Sequence, residues 1–184
     1  MNTASYPLAG TSIEIPFMVS DQVSGSFIVL MDTEDTSPSA APFKIFASSG
    51  STSATVNIPS ISNLDYLANG WHHFAFSVKS IDDSLSVSAY LDGELKGTYS
   101  AGPGTSMGEV TGNINATLGA ATVLARPLLN FSSDGYGKIS GSIDEFRYWK
   151  TERTPAQIGK YWFTQFGGGT NTDTSNTDLG VYYK

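Results

Sequence analysis

Short apolar runs recur along the whole chain and are separated by turn-forming residues. They cover residues 12–20, 26–32, 42–48, 53–60, 73–80, 85–93, 94–100, 113–120 and 138–149. Side chains that alternate with a period of two predict strands with one buried face. Many short strands with turns between them are typical of an all-β sandwich or jelly roll.

Two local signals add detail to this pattern. Asp92-Gly93 separates two alternating runs, and this dipeptide predicts a tight hairpin because both turn positions need a positive φ. Thr154, Pro155 and Gln157 have the spacing of an N-cap, a first helical residue and a capping box. The sequence therefore predicts one short helix after the last core strand.

Composition and charge exclude several classes of protein. The chain has 184 residues, of which 40% are hydrophobic, which is enough for one globular domain with a core. With 10 Lys and Arg against 17 Asp and Glu, it has no basic stripe, so we expect no nucleic-acid partner. Without cysteine, it can form neither disulfides nor a thiolate zinc site. The sequence shows no signal peptide, and no apolar run is long enough to predict membrane insertion.

Four segments together resemble a known family. GWHHFAFSVK (70–79), LSVSAYLDGELKGTY (85–99), NINATLGA (113–120) and GSIDEFRYWKTERTPAQI (141–158) look like a laminin-G-like domain of the concanavalin A-like lectin/glucanase superfamily. The resemblance covers roughly residues 11–163. It implies a jelly roll of two antiparallel sheets, with Trp71, Phe74, Phe76 and Val78 on strands that feed the core. On that expectation, Trp71→Ala costs roughly 3–5 kcal/mol.

The end of the chain differs in composition from the rest. We predict a jelly-roll domain over residues 1–166 and a Gly/Thr/Asn linker over residues 167–178. Residues 179–184, LGVYYK, begin a further strand or a following segment, or they fold back onto the sandwich. Residues 164–184, TQFGGGTNTDTSNTDLGVYYK, resemble the stretch that follows such domains in structural proteins of tailed bacteriophages. That resemblance implies a virion or extracellular location, with other virion subunits or a second copy of the chain as partners.

The acidic doublet Asp144-Glu145 lies in the run 138–149, where strand neighbours point to opposite faces. Two such carboxylates cannot flank one glycosidic bond, and the Glu-x-Asp-x-x-Glu run of the glucanase branch is missing. The family resemblance implies that Asp144 binds a structural Ca²⁺, with Glu14 as a weaker candidate ligand. The alternatives are a salt bridge from the doublet to Arg147 or Arg153, or a carboxylate that caps a turn.

The sequence also contains a pair of neighbouring histidines and an apolar segment where a loop is expected. His72 and His73 are neighbours on one predicted strand and make a poor metal pair, so we expect structural or surface roles for both. Residues 121–137 are too apolar for a solvated loop, and we interpret them as an extra strand or as an interface with another subunit.

Glycan binding needs exposed aromatic rings and polar partners in loops. The candidates are Tyr136, Trp149, Tyr99, Asn130 and Asp134, and core or edge packing is the alternative for the aromatic ones. We therefore predict a non-enzymatic adhesion module that recognises glycans such as a host-surface polysaccharide. The alternatives are a purely architectural decoration domain of a virion and, second, a glycoside hydrolase.

Overall fold

The structure, a computed structural model, describes residues 2–3, 13–20, 25–32, 41–61, 70–108, 113–121, 137–139, 141–164 and 178–184. Within these residues, nearly all regular structure is extended. The strands are β1 (Asn2–Thr3), β2 (Ile13–Ser20), β3 (Gly25–Asp32), β4 (Phe43–Ser49), β5 (Thr52–Ile58), β6 (Phe74–Ile81), β7 (Ser84–Leu91), β8 (Glu94–Ser100), β9 (Asn115–Leu118), β10 (Gly141–Ser142), β11 (Phe146–Trp149) and β12 (Leu179–Tyr183). One helix, α1 (Pro155–Tyr161), follows β11.

The strands form two main sheets. Five strands pair in the order β5-β4-β3-β2-β9, and three pair in the order β6-β7-β8. Two further pairs, β1 with β10 and β11 with β12, stand beside them. Every one of these pairings is antiparallel. The prediction of an all-β, antiparallel jelly-roll sandwich with one short helix is confirmed.

The main core lies between the two larger sheets. Ile45 and Val56 from the five-stranded sheet and Val87 and Ala89 from β7 are almost fully buried and belong to one cluster. These side chains alternate along their strands, as the apolar pattern of the sequence predicts. The aromatic rings of Phe74 and Phe76 pack against this cluster from β6, and so does Val78.

A second buried cluster occupies the opposite face of the five-stranded sheet. It consists of Ile15, Met18, Ile28, Leu30, Phe46 and Ala121. Because β3 buries side chains on both faces, its sequence is a nearly continuous apolar run. Residues 122–136, most of the segment interpreted as an extra strand or an interface, lie outside the described residues.

Both local signals are confirmed. Asp92 and Gly93 adopt φ values of 50° and 81° and form the turn between β7 and β8. The Thr154 side chain accepts a hydrogen bond from the Gln157 amide, and the Gln157 side chain accepts one from the Thr154 amide. Pro155 occupies the first helical position. In the part of the chain that the structure describes, no helix has both the length and the hydropathy to cross a membrane.

The expectation that Trp71 belongs to the core is wrong. Its side chain is 58% exposed. The strand begins only at Phe74, so Trp71 lies in an irregular segment where the period of two no longer determines which way a side chain points.

The predicted strand over residues 138–149 is interrupted at the acidic doublet. β10 ends at Ser142 and β11 begins at Phe146. Glu145 lies between them with a φ of 54°, which ends the extended conformation.

At the end of the chain, β12 pairs with β11, with Arg147 opposite Tyr182. Residues 165–177, which include almost all of the predicted linker, lie outside the described residues, and the domain boundaries stay predictions.

The exposure of these side chains predicts opposite results for two alanine variants. Ile45 has no exposed surface, so Ile45→Ala should lower the free energy of unfolding by about 2–5 kcal/mol. Trp71→Ala removes an exposed ring and should change it by only about 0.5 kcal/mol. Denaturant titration followed by circular dichroism measures both. A loss of several kcal/mol in Trp71→Ala would contradict its position at the surface.

Candidate functional site

A cleft of about 480 Å³ separates β6 from β11. β6 is the edge strand of its sheet, and β11 pairs with β12; within the described residues, no backbone ladder joins β6 to β11. Phe17, Val29 and Phe43 from the five-stranded sheet form the base of the cleft. The residues that precede and form β6 make one wall, here called the β6 wall. The segment from β11 to the end of α1 makes the other, here called the β11 wall.

Asp92 fixes the start of the β6 wall. Its Oδ2 atom lies 2.9 Å from Nδ1 of His72, and its Oδ1 atom accepts a hydrogen bond of 2.8 Å from the amide of His73. Its own amide donates to the carbonyl of His73 at 2.8 Å. Burial acts to raise the pKa of Asp92, but the hydrogen bonds from His72 and His73 hold that pKa below its ordinary value. The two histidines thus attach the entry of β6 to the β7–β8 turn.

His73 is held as a neutral side chain. Burial, assisted by the nearby positive charge of Arg147, lowers its pKa to about 4, although Asp92 acts in the opposite direction. Its Nδ1 atom is buried without a hydrogen-bond partner. Its ring lies 6.1 Å from the ring of Trp162, measured between centroids. Protonating His73 in place would leave an unsatisfied charge at the cleft.

Arg147 fixes the β11 wall. Its side chain is 8% exposed and bonds to Glu145 at 3.1 Å. It also donates to the carbonyl of Tyr161 at 3.0 Å and to the carbonyl of Thr164. The last carbonyls of a helix have no partner inside the helix, and a guanidinium has enough donors for several of them. One side chain therefore connects β11, the end of α1 and the acidic doublet.

The acidic doublet is divided between two environments. Glu145 also accepts a hydrogen bond of 2.5 Å from the Tyr182 hydroxyl on β12. Burial acts to raise the pKa of Glu145, but Tyr182 and Arg147 hold that pKa below its ordinary value. Asp144 is exposed, and its Oδ1 atom accepts from the Glu145 amide at 2.9 Å. The expected strand geometry of the doublet is wrong, and the alternative, a salt bridge to Arg147, is present at Glu145.

The predicted glycan-binding residues do not come together as one group. Trp149 lines the cleft, and the guanidinium carbon of Arg153 lies 4.2 Å from the centre of its ring. Tyr99 is half-buried and packs against the main core on β8, away from the cleft lining. Tyr136, Asn130 and Asp134 lie outside the described residues, so their role stays a prediction.

An ion pair joins the two walls. Nζ of Lys79 on β6 lies 2.7 Å from a carboxylate oxygen of Glu152, which follows β11. Both side chains are 42% exposed, so this pair contributes little to stability. Glu152 is also one of the residues that line the cleft.

Sequence reasoning missed the aromatic residues that follow the helix. Trp162 lines the cleft, and Phe163 beside it is 69% exposed. The signal was present in the sequence, because three consecutive aromatic residues, Tyr161, Trp162 and Phe163, follow Lys160.

The family comparison agrees with this geometry. A family profile described as the concanavalin A-like lectin/glucanases superfamily, of the laminin-G type, matches residues 9–159. The chain belongs to the concanavalin A-like lectin/glucanase superfamily. No curated protein and no solved structure matched the chain. The cleft therefore lies in a laminin-G-like domain, in a superfamily that is named for both binding and hydrolytic proteins.

Calcium, which the family implies, finds no assembled site in the described part of this laminin-G-like domain. Among those residues, no three or more His, Asp or Glu side chains form a group that could hold a metal ion. Asp144 and Glu14 stay predicted ligands.

A calcium ion bound to Asp144 and Glu14 would raise the melting temperature on addition of CaCl₂, and Asp144→Asn would remove the rise. A wild-type melting temperature that is the same in EDTA and in CaCl₂ would eliminate the ion.

The neutral state of His73 predicts how stability depends on pH. Its pKa is about 4 in the folded domain and about 6.5 in an unfolded chain, so the unfolded state binds the proton first. The stabilising contribution is therefore complete above pH 6.5 and is lost as pH falls towards 4, by up to roughly 3 kcal/mol. Denaturant titrations from pH 7.5 to 4 should show a steeper decline in wild type than in His73→Phe, which keeps a ring beside Trp162. Parallel declines would contradict a buried, neutral His73.

Proposed function

We propose that this laminin-G-like domain is a non-catalytic adhesion module that binds a glycan in the cleft between β6 and β11. The observation that carries the proposal is the composition of the cleft lining. An apolar base of phenylalanines lies beneath a rim that carries both an aromatic ring and charged groups. Sugars present apolar C–H faces and hydroxyl edges, and such a lining can contact both.

The rim supplies the polar half of that recognition. Arg153 lies over Trp149, and Lys79 and Glu152 extend the charged groups to the β6 wall. Guanidinium, ammonium and carboxylate groups all form hydrogen bonds with hydroxyls. Because residues of both walls line the cleft, a ligand in it would contact both walls at once.

The state of the carboxylates supports a role in binding rather than hydrolysis. A glycosidase needs one carboxyl group with a raised pKa to act as general acid. Glu145 is bonded to Arg147 and Tyr182, which lower its pKa, and Glu152 is paired with Lys79. Asp144 accepts a hydrogen bond from the backbone. Each of these three carboxylates is thus already bonded to another group of the domain.

The biological setting is a further part of the proposal. The resemblance of residues 164–184 to a segment of phage structural proteins supports a virion or other extracellular particle as the location. A host-surface polysaccharide is then the partner. Many copies on one particle would convert weak binding of each domain into firm attachment.

A second candidate function, packing against another subunit or a second copy, has one observation in its favour. Among the described strands, β9 lies at an edge of the five-stranded sheet, and Ile114 and Leu118 beside and within it are 54% and 37% exposed. An exposed apolar edge strand can pair with another chain. This function would use a different surface from the cleft, which makes the two candidates separable.

Affinity electrophoresis in gels that contain barley β-glucan, xylan, mannan or alginate tests the binding proposal. We expect at least one polysaccharide to retard the wild-type domain. Trp149→Ala and Arg153→Gln should each weaken that retardation by roughly tenfold. Circular dichroism shows whether each variant is folded. If one of them is not, the other still tests the proposal.

Ile114→Ser is the matched control, because it changes an exposed apolar side chain outside the cleft. It should leave retardation unchanged. Should no polysaccharide retard the wild type while Ile114→Ser abolishes self-association in light scattering, the architectural role would replace the binding role. Release of reducing sugar from any of the four polysaccharides would contradict the non-catalytic part of the proposal.

A further inference from the structure

The end of the three-stranded sheet at the Asp92-Gly93 turn carries a group of aromatic side chains. Phe163 is 69% exposed and Trp71 is 58% exposed. Trp71 directly precedes His72, whose ring bonds to Asp92, and Phe163 directly follows Trp162, whose ring lies against Gly93. We call these three rings, Trp71, Trp162 and Phe163, the terminal aromatic surface.

Trp162 is held rigidly in this surface. A Cβ atom added to Gly93 would lie 2.1 Å from Cδ1 of the Trp162 ring, so only glycine leaves room for the ring there. Gly93 also has a φ of 81°, which favours glycine independently. The Phe163 ring meets Trp162 edge to face, at 5.5 Å between centroids and 78° between planes. Rings that are fixed before binding lose little conformational entropy when a ligand arrives.

Trp162 and Phe163 connect the terminal aromatic surface to the cleft. Trp162 lines the cleft on one side and contacts Phe163 on the other. A ligand that leaves the cleft past Trp162 therefore meets a second aromatic face without crossing a gap. Trp149 and Phe163 would contact different parts of the same extended molecule.

We propose that the terminal aromatic surface is a second carbohydrate subsite, and that the ligand is an extended polysaccharide chain that runs from the cleft across Trp162 to Phe163. This inference rests on the proposed function and adds the class of ligand. A terminal sugar would fill the cleft alone. A long chain would use both subsites and bind more tightly as its length increases.

The size of the surface favours a sugar chain over a protein partner. An aromatic side chain can bury about 150–250 Å². At exposures of 58% and 69%, Trp71 and Phe163 together offer roughly 300 Å². A stable protein interface needs about 800 Å² from each partner. The same end of the sheet also carries polar groups, Asp92 in the turn and the Glu94–Lys96 ion pair of 2.7 Å just after it.

The test compares long and short forms of one sugar. The polysaccharide that retards the wild-type domain is partly hydrolysed, and isothermal titration calorimetry measures the affinity of the intact chain and of its short oligosaccharides. We expect wild type to bind the intact chain at least roughly tenfold more tightly, per binding site, than the short fragments. Phe163→Ala should remove most of that difference and leave affinity for the short fragments unchanged.

Tyr183→Ala is the matched control, because Tyr183 is 59% exposed on β12 and does not line the cleft. It should retain the full preference for the long chain. If Phe163→Ala keeps that preference while Trp149→Ala still loses binding, the second subsite is overturned and the proposed function stands. If no polysaccharide of the panel binds, the proposed function fails and the subsite fails with it.

Discussion

The buried guanidinium of Arg147 is the constraint on which the β11 wall depends. A buried charge is tolerated only when it is paired and fully hydrogen-bonded. Arg147 is paired with Glu145 on one side and donates to the carbonyls of Tyr161 and Thr164 on the other. Tyr182 then bonds to the same Glu145 carboxylate. A strand, a helix end and the last strand of the chain must therefore occupy fixed positions together, because each supplies part of one polar network.

Asp92 fixes the start of the β6 wall in the same way, with fewer side-chain hydrogen bonds than Arg147 makes. It joins the segment before β6 to the β7–β8 turn, and Gly93 in that turn receives the ring of Trp162 from the β11 wall. The two walls thus meet at one end, while a cleft separates them elsewhere. The core between the sheets provides the stability of the domain through burial of apolar area. The polar contacts of Asp92 and Arg147 determine the shape of the surface that a ligand would meet.

Much of the fold could be predicted from the sequence because its determinants are local. The Asp92-Gly93 turn and the Thr154 capping box each depend on residues within one turn of chain. The alternation of apolar and polar side chains identified the strands because it too depends only on neighbouring residues. It failed at Trp71, which precedes the strand, and at Glu145, whose positive φ breaks the extended backbone.

The site was harder to predict because its contacts join distant parts of the chain. Glu145 and Tyr182 are 37 residues apart, and Gly93 and Trp162 are still farther apart along the chain. Nothing in the local sequence specifies such pairs. A crystal structure of the domain with an oligosaccharide from the polysaccharide that it binds tests the central claim most directly. We expect the sugar rings to lie in the cleft between β6 and β11 and to continue across Trp162. Sugar bound elsewhere, such as along the edge of the five-stranded sheet at β9, with no sugar in the cleft would contradict it.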